Sequence, residues 1–352
     1  MNEGSDVDVS DEPPWPLSRV WSGGRCPDPV RLVALAGDVI VVATDAALHV
    51  TAVGSAAGPR PVAGLDWSPR DLAVSPSGRF ALVTSPRRHQ ADVIDLRTGE
   101  RVVSASSIGQ PSPLVRAAFA TLAGSDVLVV SRRLHVLEVL ALPSGESLGK
   151  ATYTWTMAFI FTSLHPMLDG DTMLAIGYGY AESKDSLMTI SLREVIDDPL
   201  AAAAEFTKRT RASDYAYQLT AGPCGRSAMV AYRNPEDDEE PGPDDEPDEP
   251  DGDLDNLQGL YVSRFSDLRL LEHIADDHPV ESGAPLFATD TAVVLSRPGQ
   301  VEIVPRAAAE RSTPTTLEAP IHAFDPEAAR IVVVKPDATI QVLQITVARC
   351  RS

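Results

Sequence analysis

Cysteine is scarce in this chain, and its three copies lie far apart. Cys26, Cys224 and Cys350 are spread over 352 residues, so they match neither the close pairs of a zinc site nor a disulfide framework. We expect buried or free thiols in a reducing cytoplasm. A Cys26–Cys350 bridge across the chain ends is the alternative.

Long apolar runs are also missing. No stretch approaches the ~18 consecutive apolar residues of a transmembrane helix. Residues 1–8 are acidic and polar, whereas a secretory signal starts basic and continues apolar. The sequence therefore predicts a cytoplasmic protein with no membrane partner.

Positive charge is in short supply, with 30 Lys and Arg against 50 Asp and Glu and a formal charge of −20. This excess argues against binding to nucleic acid or anionic membranes. Thirteen of the acidic residues lie in residues 236–255, and the rest of the chain carries a formal charge of only −7. We expect a disordered acidic tail at residues 1–14, one folded domain over 15–352, and a disordered acidic insert at about 234–256.

Metal and cofactor motifs occur only as fragments. Residues 251–255 resemble the start of a calcium loop, but Asn256 replaces the required glycine and Val262 the final glutamate. His273 and His278 are spaced wrongly for a zinc pair on a helix. The sequence predicts no cofactor and no metal, and it assigns no catalytic residue.

Alternating apolar residues, by contrast, are plentiful. Leu72, Val74, Phe80 and Leu82 follow the period of a half-buried strand on either side of the turn at residues 76–78. A third strand and the start of a fourth complete the pattern by residue 104. Four antiparallel strands in about 40 residues are typical of one propeller blade, and such a blade needs neighbours to cover its faces.

The first turn of each unit gives the repeat length. Gly37, Gly78, Gly124, Gly170 and Gly225 are separated by 41, 46, 46 and 55 residues. This spacing predicts an all-β, seven-bladed β-propeller of four-stranded antiparallel blades, with six or eight blades as alternatives. We expect the chain termini to pair and close the ring, with residues 17–21 joining the last blade. Residues 345–348 are the other candidate for that outer strand.

Three segments resemble WD40-type and related bacterial propellers. Residues 73–84, Ala-Val-Ser-Pro-Ser-Gly-Arg-Phe-Ala-Leu-Val-Thr, resemble the first hairpin of their repeat. Residues 93–100 and 140–146 resemble the third strand and its turn. The Trp-Asp dipeptide of that family does not occur in the chain. The resemblance implies a propeller used for protein interaction, although the same fold also hosts lactonases and other enzymes.

Basic residues recur between the second and third strands of the predicted blades. In a propeller these loops leave from one face, so we expect a broken cationic ring there, facing a partner protein with an acidic surface. The members of the predicted ring are Arg87, Arg88, His89, Arg132, Arg133, Lys184, Arg233, Arg297 and Lys335.

The acidic insert leaves from the same predicted face, between the second and third strands of blade five. We expect it to compete with the partner for the cationic ring. Its regulatory residues are Glu236, Asp237, Asp238, Glu239, Glu240, Asp244, Asp245 and Glu246.

Two functional hypotheses follow. The favoured one is a cytoplasmic, monomeric, non-catalytic scaffold that binds another protein through this face. The alternative is a hydrolase or lactonase with its site in the central channel, which requires carboxylates or histidines from different blades to converge there.

Overall fold

A computed structural model provides the structure of the protein. It describes residues 17–106, 115–133, 135–153, 159–166, 171–179, 185–203, 211–213, 218–221, 226–231, 259–264, 270–275, 286–289, 292–297, 299–305, 315–325 and 328–345. The predicted acidic tail and the named residues of the acidic insert lie outside this set.

Within these residues the chain forms short strands, the helix α1 and a helical stretch over residues 199–203. The strands of the first half are β1 (Leu17–Arg25), β2 (Leu32–Ala36), β3 (Val39–Ala43), β4 (Ala47–Ala52), β5 (Arg60–Gly64), β6 (Asp71–Val74), β7 (Phe80–Thr84), β8 (Gln90–Asp95), β9 (Arg101–Ser106), β10 (Arg116–Leu122), β11 (Ser125–Arg133), β12 (Val136–Ala141) and β13 (Ser147–Thr152). The later elements are β14 (Phe159–Pro166), β15 (Thr172–Gly179), β16 (Asp185–Ser191), α1 (Leu192–Asp197), β17 (Arg211–Ser213), β18 (Gln218–Ala221), β19 (Arg226–Ala231), β20 (Gly259–Arg264), β21 (Leu270–Ala275), β22 (Leu286–Ala288), β23 (Ala292–Arg297), β24 (Gln300–Pro305), β25 (Thr315–Glu318), β26 (Ile321–Asp325), β27 (Arg330–Val334) and β28 (Thr339–Ile345).

The described strands assemble into seven four-stranded antiparallel sheets. Sheets one to six take their strands in chain order, from β2–β5 in sheet one to β22–β25 in sheet six. Sheet seven has the order β26, β27, β28 and β1, so it joins the last three strands to the first. In each sheet we call these the inner, second, third and outer strands.

Second and third strands such as β3 and β7 are apolar on both faces, because neighbouring sheets cover them. In β3 the residues Ile40–Ala43 are wholly buried, and all of β7 is buried. The outer strand β5 shows no buried residue. The sheets therefore pack face to face and expose their outer edges to water.

Consecutive sheets share apolar clusters. Phe80 of sheet two packs in one cluster with Phe119 and Leu128 of sheet three. Val42 of sheet one lies in one cluster with Val332 of sheet seven, and the inner strands β2 and β26 are in contact. Because each sheet contacts the next, the core is a series of intersheet layers.

The pairing of β1 with β28 ties the start of the chain to its end. The register runs from Leu17 opposite Ile345 to Arg25 opposite Thr339, and Leu17 is buried. The predicted pairing of residues 17–21 with the last sheet is observed. Ile345 completes β28 itself and does not begin a separate outer strand.

In sheet four, helical residues separate the third strand from a short outer strand. The third strand β16 is followed by α1, whose first turn is capped by Ser191: the Ser191 hydroxyl accepts from the backbone N–H of Glu194. Residues 201–203 are also helical, and β17 is the outer strand. In the part of the chain that the structure describes, no helix is long and apolar enough to cross a membrane.

Candidate functional site

One end of the sheets carries the predicted cationic residues, and we call it the loop end. Here each second strand passes to its third strand, and each outer strand passes to the next sheet. The connection that leaves an outer strand is tied to the loop between the second and third strands of the same or the preceding sheet. Among the described residues, five backbone N–H groups of such connections donate to carbonyls of these loops: Leu65 to Ala46 at 2.7 Å, Val115 to Arg88 at 2.7 Å, Tyr153 to His135 at 2.8 Å, Ala319 to Gly299 at 2.9 Å and Cys26 to Ala338 at 3.3 Å.

The structure places most of the predicted cations at this end. Arg87, Arg88 and His89 occupy the β7–β8 loop, and Lys335 follows β27. The remaining members are Arg132 and Arg133, which end β11 rather than lying in a loop, Arg297, which ends β23, and Lys184 and Arg233, which lie outside the described residues.

Arg88 is held firmly in place. Its Nε lies 3.1 Å from Asp71 Oδ2 and its Nη2 3.4 Å from Asp71 Oδ1. Its backbone has a φ of 55°, a left-handed conformation that costs a non-glycine residue about 1–2 kcal/mol. A turn hydrogen bond from its N–H to the Ser85 carbonyl, at 2.8 Å, supports that conformation. Arg88 is thus fixed between sheets two and three.

Arg116, at the start of β10, is the residue next to Val115, which hydrogen-bonds Arg88. Its Nε and Nη1 are buried and have no hydrogen-bond partner among the described residues. Burial lowers the pKa of the Arg116 guanidinium, the Arg88 charge lowers it further, Asp71 opposes this, and Arg70 again lowers it. A buried guanidinium with unpaired N–H groups is costly unless an anion accompanies it.

The residue pair at the loop end of the inner and second strands differs between sheets. Asp71 pairs with Thr84 in sheet two and Arg116 pairs with Ser131 in sheet three. In sheet seven the corresponding rung is apolar, with Ile321 opposite Val334. Opposite charges therefore begin two adjacent inner strands that are otherwise apolar.

Arg70 adds a third guanidinium beside this pair. It is exposed, and its Nη1 makes only a long contact of 3.5 Å to the Pro86 carbonyl. Asp71 Oδ2 already accepts from Thr84 Oγ1 at 2.8 Å in addition to Arg88. Within the described residues, Asp71 is thus bonded to Arg88 and is the one carboxylate that acts on Arg116, whose charge Arg70 and Arg88 both oppose. We call these four residues the arginine cluster.

Sheet one shows how the charges balance elsewhere. Arg31 Nε lies 2.9 Å from Asp45 Oδ1, which also accepts from Ser68 Oγ at 2.7 Å. These hydrogen bonds from Ser68 and Arg31 lower the Asp45 pKa. One cation meets one carboxylate there, in contrast to the boundary of sheets two and three, where Arg70, Arg88 and Arg116 accompany Asp71.

The other predicted cations are more dispersed. Arg87 and Lys335 are exposed, and Lys335 is close enough to Asp337 to contribute to lowering its pKa, after the larger effect of hydrogen bonds from Thr339. His89 is half-buried and has an interaction partner. The sequence pattern did not single out Arg70 or Arg116. The available signal was a charged residue at the start of an apolar strand.

Ser296 and His322 form a second polar contact near this end, between sheets six and seven. Ser296 Oγ lies 2.6 Å from His322 Nε2, and His322 Nδ1 lies 2.7 Å from the Ala319 carbonyl. A carbonyl only accepts, so Nδ1 carries the proton and Nε2 accepts from the serine. Burial lowers the pKa of His322 despite the Ala319 hydrogen bond, which favours the neutral ring.

Other motif fragments do not assemble into a site. Residues 145–149 match Gly-x-Ser-x-Gly, but Ser147 opens β13 and pairs with Leu140 in the ladder. It does not lie on a strand-to-helix elbow. Within the described ranges, no group of three or more His, Cys, Asp or Glu side chains is placed to hold a metal ion.

No protein-family model matches the chain, and no curated protein matches its sequence. Two solved structures are similar to it in fold. Hydrazine synthase of Kuenenia stuttgartiensis matches with a TM-score of 0.53 and 11% identity, over 92% of this chain and 98% of that one. PorZ, an essential bacterial surface component of the type-IX secretion system of Porphyromonas gingivalis, matches with a TM-score of 0.52 and 11% identity, over 94% of this chain and 38% of PorZ.

Both proteins are of the propeller type, and the present chain has an all-β, propeller-like fold. At 11% identity the likeness extends to fold alone. One of the two is an enzyme and the other a secretion-system component, so the shared architecture does not select a function.

Proposed function

We propose that the protein is a closed, seven-bladed, WD40-like propeller, one domain over residues 15–352, that acts in the cytoplasm as a non-catalytic scaffold for another protein. Its partner-binding surface is the loop end. Two features support the closed ring: β1 completes the sheet of β26–β28, and the clusters join sheet six to seven and seven to one.

The observation that carries the binding proposal is the charge imbalance in the arginine cluster. Arg88 and Arg70 both act on the charge of Arg116, and among the described residues Asp71, already bonded to Arg88, is the one carboxylate that opposes them, on a chain whose formal charge is −20. A local cationic surface attracts an acidic partner, while the negative charge on the rest of the protein repels acidic surfaces elsewhere. The complementary partner surface is rich in Asp and Glu.

The acidic insert is proposed as the internal competitor for this surface. Its predicted exit lies between β19 and β20, the second and third strands of sheet five, so it leaves from the loop end. Thirteen carboxylates on one segment reach a high effective concentration near any cationic site on the same chain. Removing the segment is therefore expected to strengthen binding of an acidic partner.

A deletion tests this proposal. Full-length protein and a variant lacking residues 236–253 are compared for retention on a carboxylate resin at several salt concentrations. We expect the deletion to increase retention and to steepen its salt dependence, because the competing carboxylates are gone. Unchanged retention with unchanged salt dependence would contradict the role of the insert.

A second candidate function, a hydrolase, is favoured by the Ser296–His322 contact. The neutral imidazole Nε2 is in position to take the Ser296 proton as the hydroxyl attacks an ester or lactone carbonyl. A fluorophosphonate probe tests it: labelling of the wild type that disappears in Ser296→Ala and falls in His322→Gln supports a hydrolase. Absence of labelling at Ser296 leaves the contact as an intersheet hydrogen bond.

A further inference from the structure

Arg116 departs most from what a folded protein tolerates. Nearly all buried polar groups in proteins have a hydrogen-bond partner, and a buried charge is normally paired. Arg116 Nε and Nη1 are buried and have none in the described part of the chain. The charges that act on it are those of two arginines, Arg88 and Arg70, and of Asp71, which is already bonded to Arg88 and Thr84.

Among the described residues, no neighbouring atom supplies the missing acceptor. Asp71 directs Oδ2 to Arg88 Nε and Thr84 Oγ1. Arg88 in turn is fixed by its turn and by the carbonyl contact to Val115. The cluster therefore keeps two positive charges in excess, at a place where the guanidinium of Arg116 is partly desolvated.

We infer that Arg70, Arg88 and Arg116 form a binding pocket for the carboxylate of an acidic peptide segment presented by a partner. A guanidinium offers Nε–H and Nη–H groups in a planar fork that matches the two oxygens of a carboxylate. Arg116 supplies the unpartnered N–H groups of Nε and Nη1, Arg88 and Asp71 lie beside it, and the exposed Arg70 adds charge that attracts the segment. This inference rests on the proposed function and names the residues that recognise the partner.

The pocket is tested with the full-length chain in which the eight acidic-loop residues are replaced by their amides, so that the insert cannot compete. The probe is a fluorescein-labelled octaglutamate peptide, and its affinity is measured by anisotropy. Arg116→Gln removes the charge and the fork, whereas Arg116→Lys retains the charge without the planar fork. Arg97→Gln is the matched control, since Arg97 is an exposed arginine at the opposite end of sheet two.

We expect Arg116→Gln to weaken peptide binding roughly tenfold or more, because a hydrogen bond to a charged group contributes about 1.5–3 kcal/mol. Arg116→Lys is expected to recover only part of that loss. Arg97→Gln should change affinity by less than about twofold, in line with a distant exposed charge. Equal losses in Arg116→Gln and Arg97→Gln overturn the pocket, because they indicate general charge attraction.

Thermal melting with added ligand separates a binding role from a structural one. Without ligand, Arg116→Gln should melt at or above the wild-type temperature, because an unpaired buried charge has been removed. The peptide should raise the melting temperature of the wild type but not of Arg116→Gln. A variant that unfolds without ligand, and whose loss of binding follows its loss of folded protein, contradicts the pocket.

Two further outcomes keep this inference distinct from the proposed function. If peptide binding is lost in Lys335→Gln but not in Arg116→Gln, the cationic face is supported and the pocket is rejected. No binding by the wild type rejects both. Inorganic phosphate is tested as the alternative ligand. If phosphate binds in an Arg116-dependent manner and the peptide does not, the site recognises a small free anion and the inference is overturned.

Discussion

Gly99→Ala is expected to separate sheets one and two. Gly99 has a φ of 78°, and a Cβ added to it would lie 2.3 Å from the Val62 carbonyl oxygen. The backbone conformation alone costs an L-residue about 1–2 kcal/mol. Displacing the neighbouring strand adds a further ~1–3 kcal/mol typical of overpacking.

Gly124→Ala is a matched control for the backbone term. Gly124 also has a φ of 78°, but an added Cβ would meet nothing within 4 Å. The two variants therefore share the conformational cost, and only Gly99→Ala has the collision with sheet one. The expected difference between them is about 2 kcal/mol in the free energy of unfolding.

Urea denaturation, followed by tryptophan fluorescence and by circular dichroism, measures this difference. Both probes should give the same midpoints if unfolding is two-state. We expect Gly124→Ala to lower the midpoint slightly and Gly99→Ala to lower it clearly further. Equal midpoints for the two variants would refute the close packing of the Gly99 turn on β5.

The remaining predictions concern ionisable groups. Asp95→Asn should lower the free energy of unfolding by about 2 kcal/mol, because the buried Asp95 carboxylate accepts from Arg79 Nε at 3.0 Å and Nη2 at 2.8 Å and from the Arg97 N–H at 2.9 Å. Burial raises the Asp95 pKa, but these bonds lower it overall. The stability of the wild type should therefore be complete above pH ~4 and decline as the pH falls below that value. A pH series of urea midpoints in which Asp95→Asn loses stability as steeply as the wild type contradicts this. Burial lowers the pKa of His165 to about 4, so the unfolded state binds the proton first and stability should fall between pH ~6.5 and 4. His165→Gln should flatten the stability curve in that interval, and an unchanged curve argues against a buried neutral histidine.

Much of the fold could be predicted from local patterns. The strands of sheets one and two are short apolar or alternating runs separated by Gly-containing turns, as in β6 and β7 on either side of residues 76–78. Sheet four was harder, because Ser163 and His165 interrupt the apolar pattern of β14. A three-residue outer strand such as β17 is too short to leave a periodic signal.

The candidate site could be predicted only in part. Arg87, Arg88 and Lys335 were located by their place between second and third strands, which the repeat length fixes. Arg116 was missed, because its importance depends on burial and on the Arg88 beside it, and these come from sequence positions 28 residues apart. Contacts between residues of two different sheets depend on packing, and they leave no spacing pattern in the sequence.

The pairing of the first strand with the last is the central claim, because the proposed closed ring depends on it. Ser22 lies opposite Gln341, whose Nε2 is 3.4 Å from Ser22 Oγ. In a chain with its native cysteines replaced, Ser22→Cys with Gln341→Cys should form an intramolecular disulfide under mild oxidation, whereas Ser22→Cys with Gln344→Cys, three residues out of register, should not. Rapid intramolecular bonding in the first pair alone, lost in urea, is the predicted result. Bonding only between molecules, or equal yields in both pairs, would contradict the account.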